Sequence, residues 1–195
     1  MIKQLLQLPQ MIVVICGWPV SGKDTLASQI SSELGIHWLD IDRIRALHFG
    51  LPNPFPDVSE AAMELDRVEM KGSYELLYAA VGIGLRVGKS LIITATFSRS
   101  SYWENFQRVL TGCPSVNLRV IWCHPQNDTD QEIADRLSRR HFGVNSVSSV
   151  NSLARYHEVK SRYDTPVLPH LELDTSPPHT IEECVRQAIA YLTAL

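Results

Sequence analysis

Apolar residues come in short continuous runs along this chain: MIVVIC at 11–16, HWLDI at 37–41, LIITA at 91–95, LRVIWC at 118–123 and LELD at 171–174. A strand covered on both faces needs no polar side, so unbroken runs of this length predict a parallel sheet with helices on each face. Helical periodicity fills the gaps. The first predicted helix spans Lys23 to Leu34 and stops at Gly35, a residue suited to a helix C-cap. A long helical stretch follows Asp57–Glu60 and ends near Gly88, with a break expected at Gly72. Further helices are predicted over Ser101–Leu110, Asp128–Arg140 and Ile181–Leu195, the second of these amphipathic through Ile133, Ala134 and Leu137. Strand and helix alternate throughout, which predicts one α/β domain over residues 1–195. Residues 141–153, HFGVNSVSSVNSL, lack any period and read as a mobile excursion.

Composition narrows this picture without redirecting it. The chain has 195 residues, 45% hydrophobic and 20% charged, enough for a substantial core. Its opening, MIKQLLQLPQMIVVIC, has the outline of a signal peptide, but Gln4, Gln7, Pro9 and Gln10 interrupt the apolar stretch and no small-residue cleavage site follows. It is expected to lead into a buried strand. No apolar run approaches the roughly 18 residues of a membrane span, so no membrane contact and a cytoplasmic location are expected. The net charge of −3 offers no general attraction for nucleic acid or anionic lipid. Cys16, Cys113, Cys123 and Cys184 show no C-x-x-C pairing and are expected to be free thiols.

Candidate chemistry begins at Gly17-Trp18-Pro19-Val20-Ser21-Gly22-Lys23-Asp24-Thr25. The spacing is that of a phosphate-binding loop, G-x-x-x-x-G-K, placed directly after a predicted strand and opening a helix. Successive backbone N–H groups can then surround phosphate oxygens at the positive end of that helix, with Lys23 as a point charge on the terminal phosphates. A plain glycine-rich strand–helix turn is the alternative. GIGLRVG at 82–88 and the neighbouring Gly88-Lys89-Ser90 lead into a strand instead of out of one, and read as helix-end glycines packed on the sheet.

A second cluster lies in LDIDRIR. Asp40 and Asp42, two apart, are expected on the same side of an extended segment at the carboxyl end of the second strand, the edge where open α/β sheets bind ligands. A carboxylate there can take the proton of an attacking hydroxyl, and Arg45 could hold an anionic or polar acceptor. A capping Asp followed by a solvated helix start is the alternative. Beyond the fourth strand, Arg136 and Arg140 share a helix face, with Arg139 beside them, so that a lid over 128–160 could close arginines on phosphoryl oxygens. An exposed basic helix end would look the same. His124, His141, His157, His170 and His179 share no spacing and receive no role.

Together these parts carry a resemblance. GWPVSGKDTLASQISSELGIHWLDIDRIR is similar to the opening of small P-loop kinases of the zeta-toxin, chloramphenicol phosphotransferase and adenylylsulfate kinase type, with a D-x-D-x-x-R element on the second strand. The likeness continues through GSYELLYAAVGIGLRVGKSLIITATFSRSSYWENF, ADRLSRR and RYDTPVLPHLELDTS, nearly the whole chain. It implies the P-loop NTPase three-layer fold, a five-stranded mostly parallel sheet flanked by helices with a helical lid. It also implies ATP and Mg²⁺ as cofactors. By resemblance Lys23 and Thr25 bind ATP phosphates, Asp42 is the base or hydroxyl-positioning residue, Arg45 binds substrate, Arg136 and Arg140 are lid arginines, and the loop after Asp174–Ser176 lies near the adenine.

Two positions depart from that group. Its third strand usually ends with an Asp that organises Mg²⁺ through water, where this chain has Thr94 in IITATF. The loop carries Asp24 where Ser or Thr is usual, an order similar to the G-K-G-T of adenylate kinases. Asp24 is expected to supply the carboxylate missing at Thr94, with Thr25, toward the metal; an acidic residue merely suiting a helix start is the alternative. The expected activity is transfer of the ATP γ-phosphoryl group to a hydroxyl of a small molecule. Thr96, Arg99 and LHFGLPNPFPDV (47–58) are expected to shape the acceptor pocket. The competing readings are a polynucleotide 5′-hydroxyl kinase, against which the acidic charge counts, and a nucleotide-binding regulator with little turnover.

Overall fold

The computed structural model describes residues 9–50, 60–139, 148 and 150–194. Its elements alternate as β1 (Met11–Gly17), α1 (Lys23–Leu34), β2 (His37–Asp40), α2 (Ile41–Phe49), α3 (Glu60–Arg86), β3 (Leu91–Thr94), α4 (Ser100–Thr111), β4 (Asn117–His124), α5 (Asp130–Arg139), α6 (Leu153–Ser161), β5 (His170–Asp174) and α7 (Ile181–Thr193). The strands form one sheet in the order β2-β3-β1-β4-β5, every neighbouring pair parallel. The five predicted runs are these five strands.

Strand β1 is buried at all seven positions, as its lack of polar residues requires. Its residues alternate between two cores. Met11, Val13 and Ile15 pack with Leu26, Ala27 and Ile30 of α1 and with Val185 and Ala188 of α7. Ile12, Val14 and Cys16 face Tyr74, Leu77 and Val81 of α3 and Trp103 and Phe106 of α4. All four cysteines are free, as expected. Among the described residues, no helix is long and apolar enough to cross a membrane.

Three local expectations change. Helix α3 runs unbroken through Gly72, because the glycine is there for packing: a Cβ at that position would stand 2.8 Å from the Phe49 ring of α2. Helix α2 begins at Ile41, immediately after β2, where an extended segment was expected to continue. Helix α6 is an element the sequence did not single out within the predicted lid, started by the Ser152 hydroxyl, which accepts from the Arg155 backbone N–H at 3.3 Å. Arg140, most of the predicted excursion at 141–153 and residues 51–58 of the predicted pocket rim lie outside the described residues.

Candidate active site

The phosphate loop joins the central strand to α1. Gly17, at φ 149°, is held against β4 so closely that a Cβ would lie 1.9 Å from the Cys123 carbonyl oxygen. Gly22, at φ 77°, is the N-cap of α1 and starts its hydrogen-bonding by accepting from Leu26 N at 3.0 Å. Between them Val20 also takes a positive φ of 55°, a strained conformation for a β-branched residue that opens the loop into a cradle. Its carbonyl accepts from Arg136 Nη1 at 3.2 Å. Ser21 is fully buried with its hydroxyl unpartnered among the described residues. Lys23 is buried in the first turn of α1, and no ion pair ties it down among the described residues. The residue opens onto the cavities beside the loop, so an anion arriving there meets a point charge already in place.

Asp40 and Asp42 meet in a different way from the one expected. Asp40 is the N-cap of α2 and accepts from the Asp42 backbone N–H at 3.0 Å, so Asp42 stands in the first helical turn and not on a strand. The two carboxylates still occupy the carboxyl edge of β2, where they line the same cavity as Lys23. Burial, then the neighbouring charges of Asp24 and Asp42, push the Asp40 carboxyl up from 3.8 to about 7. A raised acid favours the folded state while protonated. The nucleotide-free protein therefore loses that stability as pH climbs from about 4 through about 7. Asp40→Asn keeps a capping oxygen and carries no charge. Urea unfolding should find it more stable than the native chain at pH 8, by on the order of 1–3 kcal/mol, with the gain gone at pH 4. An equal gain at both pH values would remove burial of the charge as its cause.

Thr94 is fully buried and its hydroxyl accepts from Trp38 Nε1 at 3.0 Å, so it is engaged with β2. In register, Thr94 pairs with Asp40. Asp24 approaches that edge from α1, and its Oδ1 is buried without a hydrogen-bond partner among the described residues. An orphaned carboxylate oxygen close to Asp40 is a suitable oxygen ligand for a divalent cation. Among the described residues no group of three or more His, Cys, Asp or Glu side chains could hold a metal by itself. A cation here would take its other ligands from phosphate and water.

Two cavities flank the loop, and Lys23 lines both. One, of about 500 Å³, lies over α1 and α7, bordered by Gly22, Thr25, Arg136, Thr175 and Thr180. The other, of about 490 Å³, lies over α2, α3 and α4, bordered by Asp42, Thr96, Arg99, Tyr102 and Arg155. Of the candidate residues, Val20, Gly22, Asp24, Thr25 and Arg136 line the first cavity, Pro19, Asp40, Asp42, Thr96 and Arg99 the second, and Gly17, Trp18, Ser21 and Arg45 line neither. Arg45 is buried in ion pairs with Asp66 (2.9 Å) and Glu69 (2.7 Å) of α3 and does not line the acceptor-side cavity. Arg136 is braced, donating to Val20 O, to the Thr175 carbonyl (2.8 Å) and to Glu132 (2.8 Å), so it ties the phosphate loop to the segment after β5. Sequence reasoning missed Tyr74, whose hydroxyl accepts from Phe97 N at 2.9 Å and steadies the turn beside Thr96. It also missed Arg155, which pairs with Asp66 and Glu158. Arg155 and Asp66 are 89 positions apart, and no local pattern announces such a pair.

A phosphate loop on the central strand of a 2-3-1-4-5 parallel sheet, with acidic residues at the end of the outer strand β2, defines a P-loop domain of the kinase-like group. The chain belongs to the AAA domain family, which it matches over residues 12–166. No curated protein matches it. Among solved structures it is similar to a candidate kinase from Chloroflexus aurantiacus J-10-fl, with 25% identity, a TM-score of 0.69, and coverage of 95% of this chain and 99% of that one. A gluconokinase from Sinorhizobium meliloti 1021 has the same fold at 19% identity and a TM-score of 0.58, covering 95% and 92%. So has the Mycobacterium tuberculosis APS kinase in complex with AMPPNP and APS, at 17% identity and a TM-score of 0.59, covering 95% and 99%.

Proposed function

We propose that the protein is an ATP- and Mg²⁺-dependent kinase that phosphorylates a hydroxyl of a small molecule. The observation that carries this reading is the position of Lys23 at the meeting of two cavities, one bordered by the loop and the segment after β5, the other by Asp42 and Thr96. A phosphoryl group in transit between donor and acceptor would pass that ammonium. The cavity by α1 and α7 would take the nucleotide, its phosphates against the backbone N–H groups of Gly22 to Thr25 and its base toward Thr175 and Thr180. An acceptor hydroxyl in the other cavity would give its proton to Asp42 as its oxygen forms the new bond to the γ-phosphorus. The bond from that phosphorus to the bridging oxygen breaks, and the electron pair leaves on ADP.

Mg²⁺, when bound, neutralises charge on the β- and γ-phosphates. Asp24, with Thr25 next to it, would orient water around that ion, in place of the carboxylate that Thr94 lacks. A concave site of about 490 Å³ suits a small acceptor better than a polynucleotide end. The test is incubation of the pure protein with Mg²⁺ and γ-labelled ATP against polyols, sugars, sugar acids, nucleosides and oligonucleotides. Label should pass to a small acceptor. Transfer only to oligonucleotides, or tight ATP binding with no transfer, would overturn the reading. In parallel, Asp24→Asn should weaken Mg²⁺–ATP by about 10-fold or more in direct titration and leave metal-free ATP unchanged or tighter. Equal weakening of both would leave Asp24 a helix-start residue only.

A further inference from the structure

The acceptor-side cavity has a strongly basic far wall that transfer to a neutral hydroxyl would not need. Arg99 stands at the N-cap of α4, is exposed, and has no ion pair among the described residues. Arg162 lies just past α6. The two segments are fastened together: Asp164 N donates to the Ser98 carbonyl at 3.2 Å, and the Asp164 carboxylate accepts from Ser100 N at 2.9 Å. Arg99 and Arg162 are thereby set side by side on one wall, with Arg155 in the same lining. Glu158, the residue that pairs with Arg162 at 2.7 Å and also with Arg155, does not line the cavity. Asp66, which also pairs with Arg155, does line it, as does Glu64, so among the described residues the wall's arginine left without an ion pair is Arg99. The Arg162 Nε–H is buried with no hydrogen-bond partner among the described residues. Burial first, and then the charges of Arg155 and Arg99, hold Arg162 below its ordinary value, against the pull of Glu158. Like charges crowded at a cavity wall with a donor left over are relieved by a ligand that brings negative charge and acceptors in one plane.

We infer that the molecule taken by this cavity carries, besides its reacting hydroxyl, an oxyanion bound by Arg99 and Arg162. The hydroxyl faces Asp42 and Lys23, and the anionic group faces α4 and the end of α6. Guanidinium forks match a carboxylate or a phosphate equally in geometry, so the class is a hydroxyl compound bearing a carboxylate or a phosphate and small enough for about 490 Å³. This inference rests on the kinase reading for the hydroxyl, whereas the anion site stands on the arginine wall itself.

The experiment keeps the two apart. The protein is first saturated with Mg²⁺–AMPPNP, so that the phosphate loop is filled, and then titrated calorimetrically with sorbitol, gluconate and sorbitol 6-phosphate. These share a skeleton and differ in a neutral, a carboxylate or a phosphate end. At least one anionic probe should bind about 10- to 100-fold more tightly than sorbitol, and which one identifies the oxyanion. In Arg99→Gln/Arg162→Gln that margin should vanish while Mg²⁺–AMPPNP affinity holds. Arg99→Gln alone, at an exposed position, should remove a measurable part of it even if the double variant misfolds. Equal binding of all three probes, or a margin that survives Arg99→Gln and the double variant, would overturn the proposal. If Mg²⁺–AMPPNP itself fails to bind, the kinase reading falls, and the gluconate titration of the native chain against Arg99→Gln still decides the anion site.

Discussion

Alanine at position 17 is expected to break the phosphate loop away from its strand. The added Cβ would stand 1.9 Å from the Cys123 carbonyl oxygen, a backbone atom of the adjoining strand in mid-sheet. No rotamer change can relieve that overlap, so β1 and β4 would have to part at the point where the loop begins. The expected cost is about 3 kcal/mol or more in urea unfolding, together with loss of measurable Mg²⁺–ATP binding. Gly112→Ala is the matched control. Gly112 has φ −75°, and nothing stands within 4 Å of where its Cβ would be. That substitution should change stability by no more than about 1 kcal/mol, in the stabilising direction if at all. Gly17→Ala with normal stability and nucleotide affinity would mean that the loop does not depend on this close approach.

Asp42→Asn should separate binding from transfer. Asn is isosteric and keeps a hydrogen-bonding side chain in the first turn of α2, so the fold and Mg²⁺–ATP affinity should change little, the lost helix-start charge being worth roughly 0.3–1 kcal/mol. As the proposed proton acceptor, Asp42 is worth about 10²- to 10⁴-fold in kcat, measured with whichever acceptor the labelling assay yields. A drop of that size at unchanged nucleotide affinity assigns the proton to Asp42. If Asp42→Asn retains activity and Asp40→Asn loses it, the base is the capping residue instead.

What the sequence disclosed follows the range of the interactions. The loop was legible because its whole logic is local: an apolar strand, a fixed glycine spacing, a lysine, and a helix start within about fifteen residues. Strand β1 was legible because burial on both faces leaves no polar residue in it, and the other four because each carries a short apolar stretch with few polar interruptions. The start of α2 was hidden because LDIDRIR reads equally well as a strand end, and only the Asp40 side chain capping Asp42 N decides for a helix. Gly72 was misleading for a tertiary reason, since its vacancy is filled by Phe49 from another helix. The ion pairs of Arg45 were hidden because Asp66 and Glu69, which engage it, come from a helix beyond an intervening proline-rich stretch. The arginine wall was only partly visible: Arg99 stood out by position, but Arg162 joins it through Asp164, more than sixty residues along the chain.

The order of the sheet has a further consequence for the way the molecule comes apart. Strand β1 has hydrogen-bonded neighbours on both sides, while β2 is an edge strand of four residues, each only partly buried or exposed. Local opening starts where amides have the least cover, so amide exchange should be faster at β2 than at β1. A molecule frayed at that margin would still hold a triphosphate and would have lost the carboxylates set at the end of β2. Its two halves of the reaction thus have unequal endurance, and warming or mild denaturant would silence transfer well before nucleotide let go.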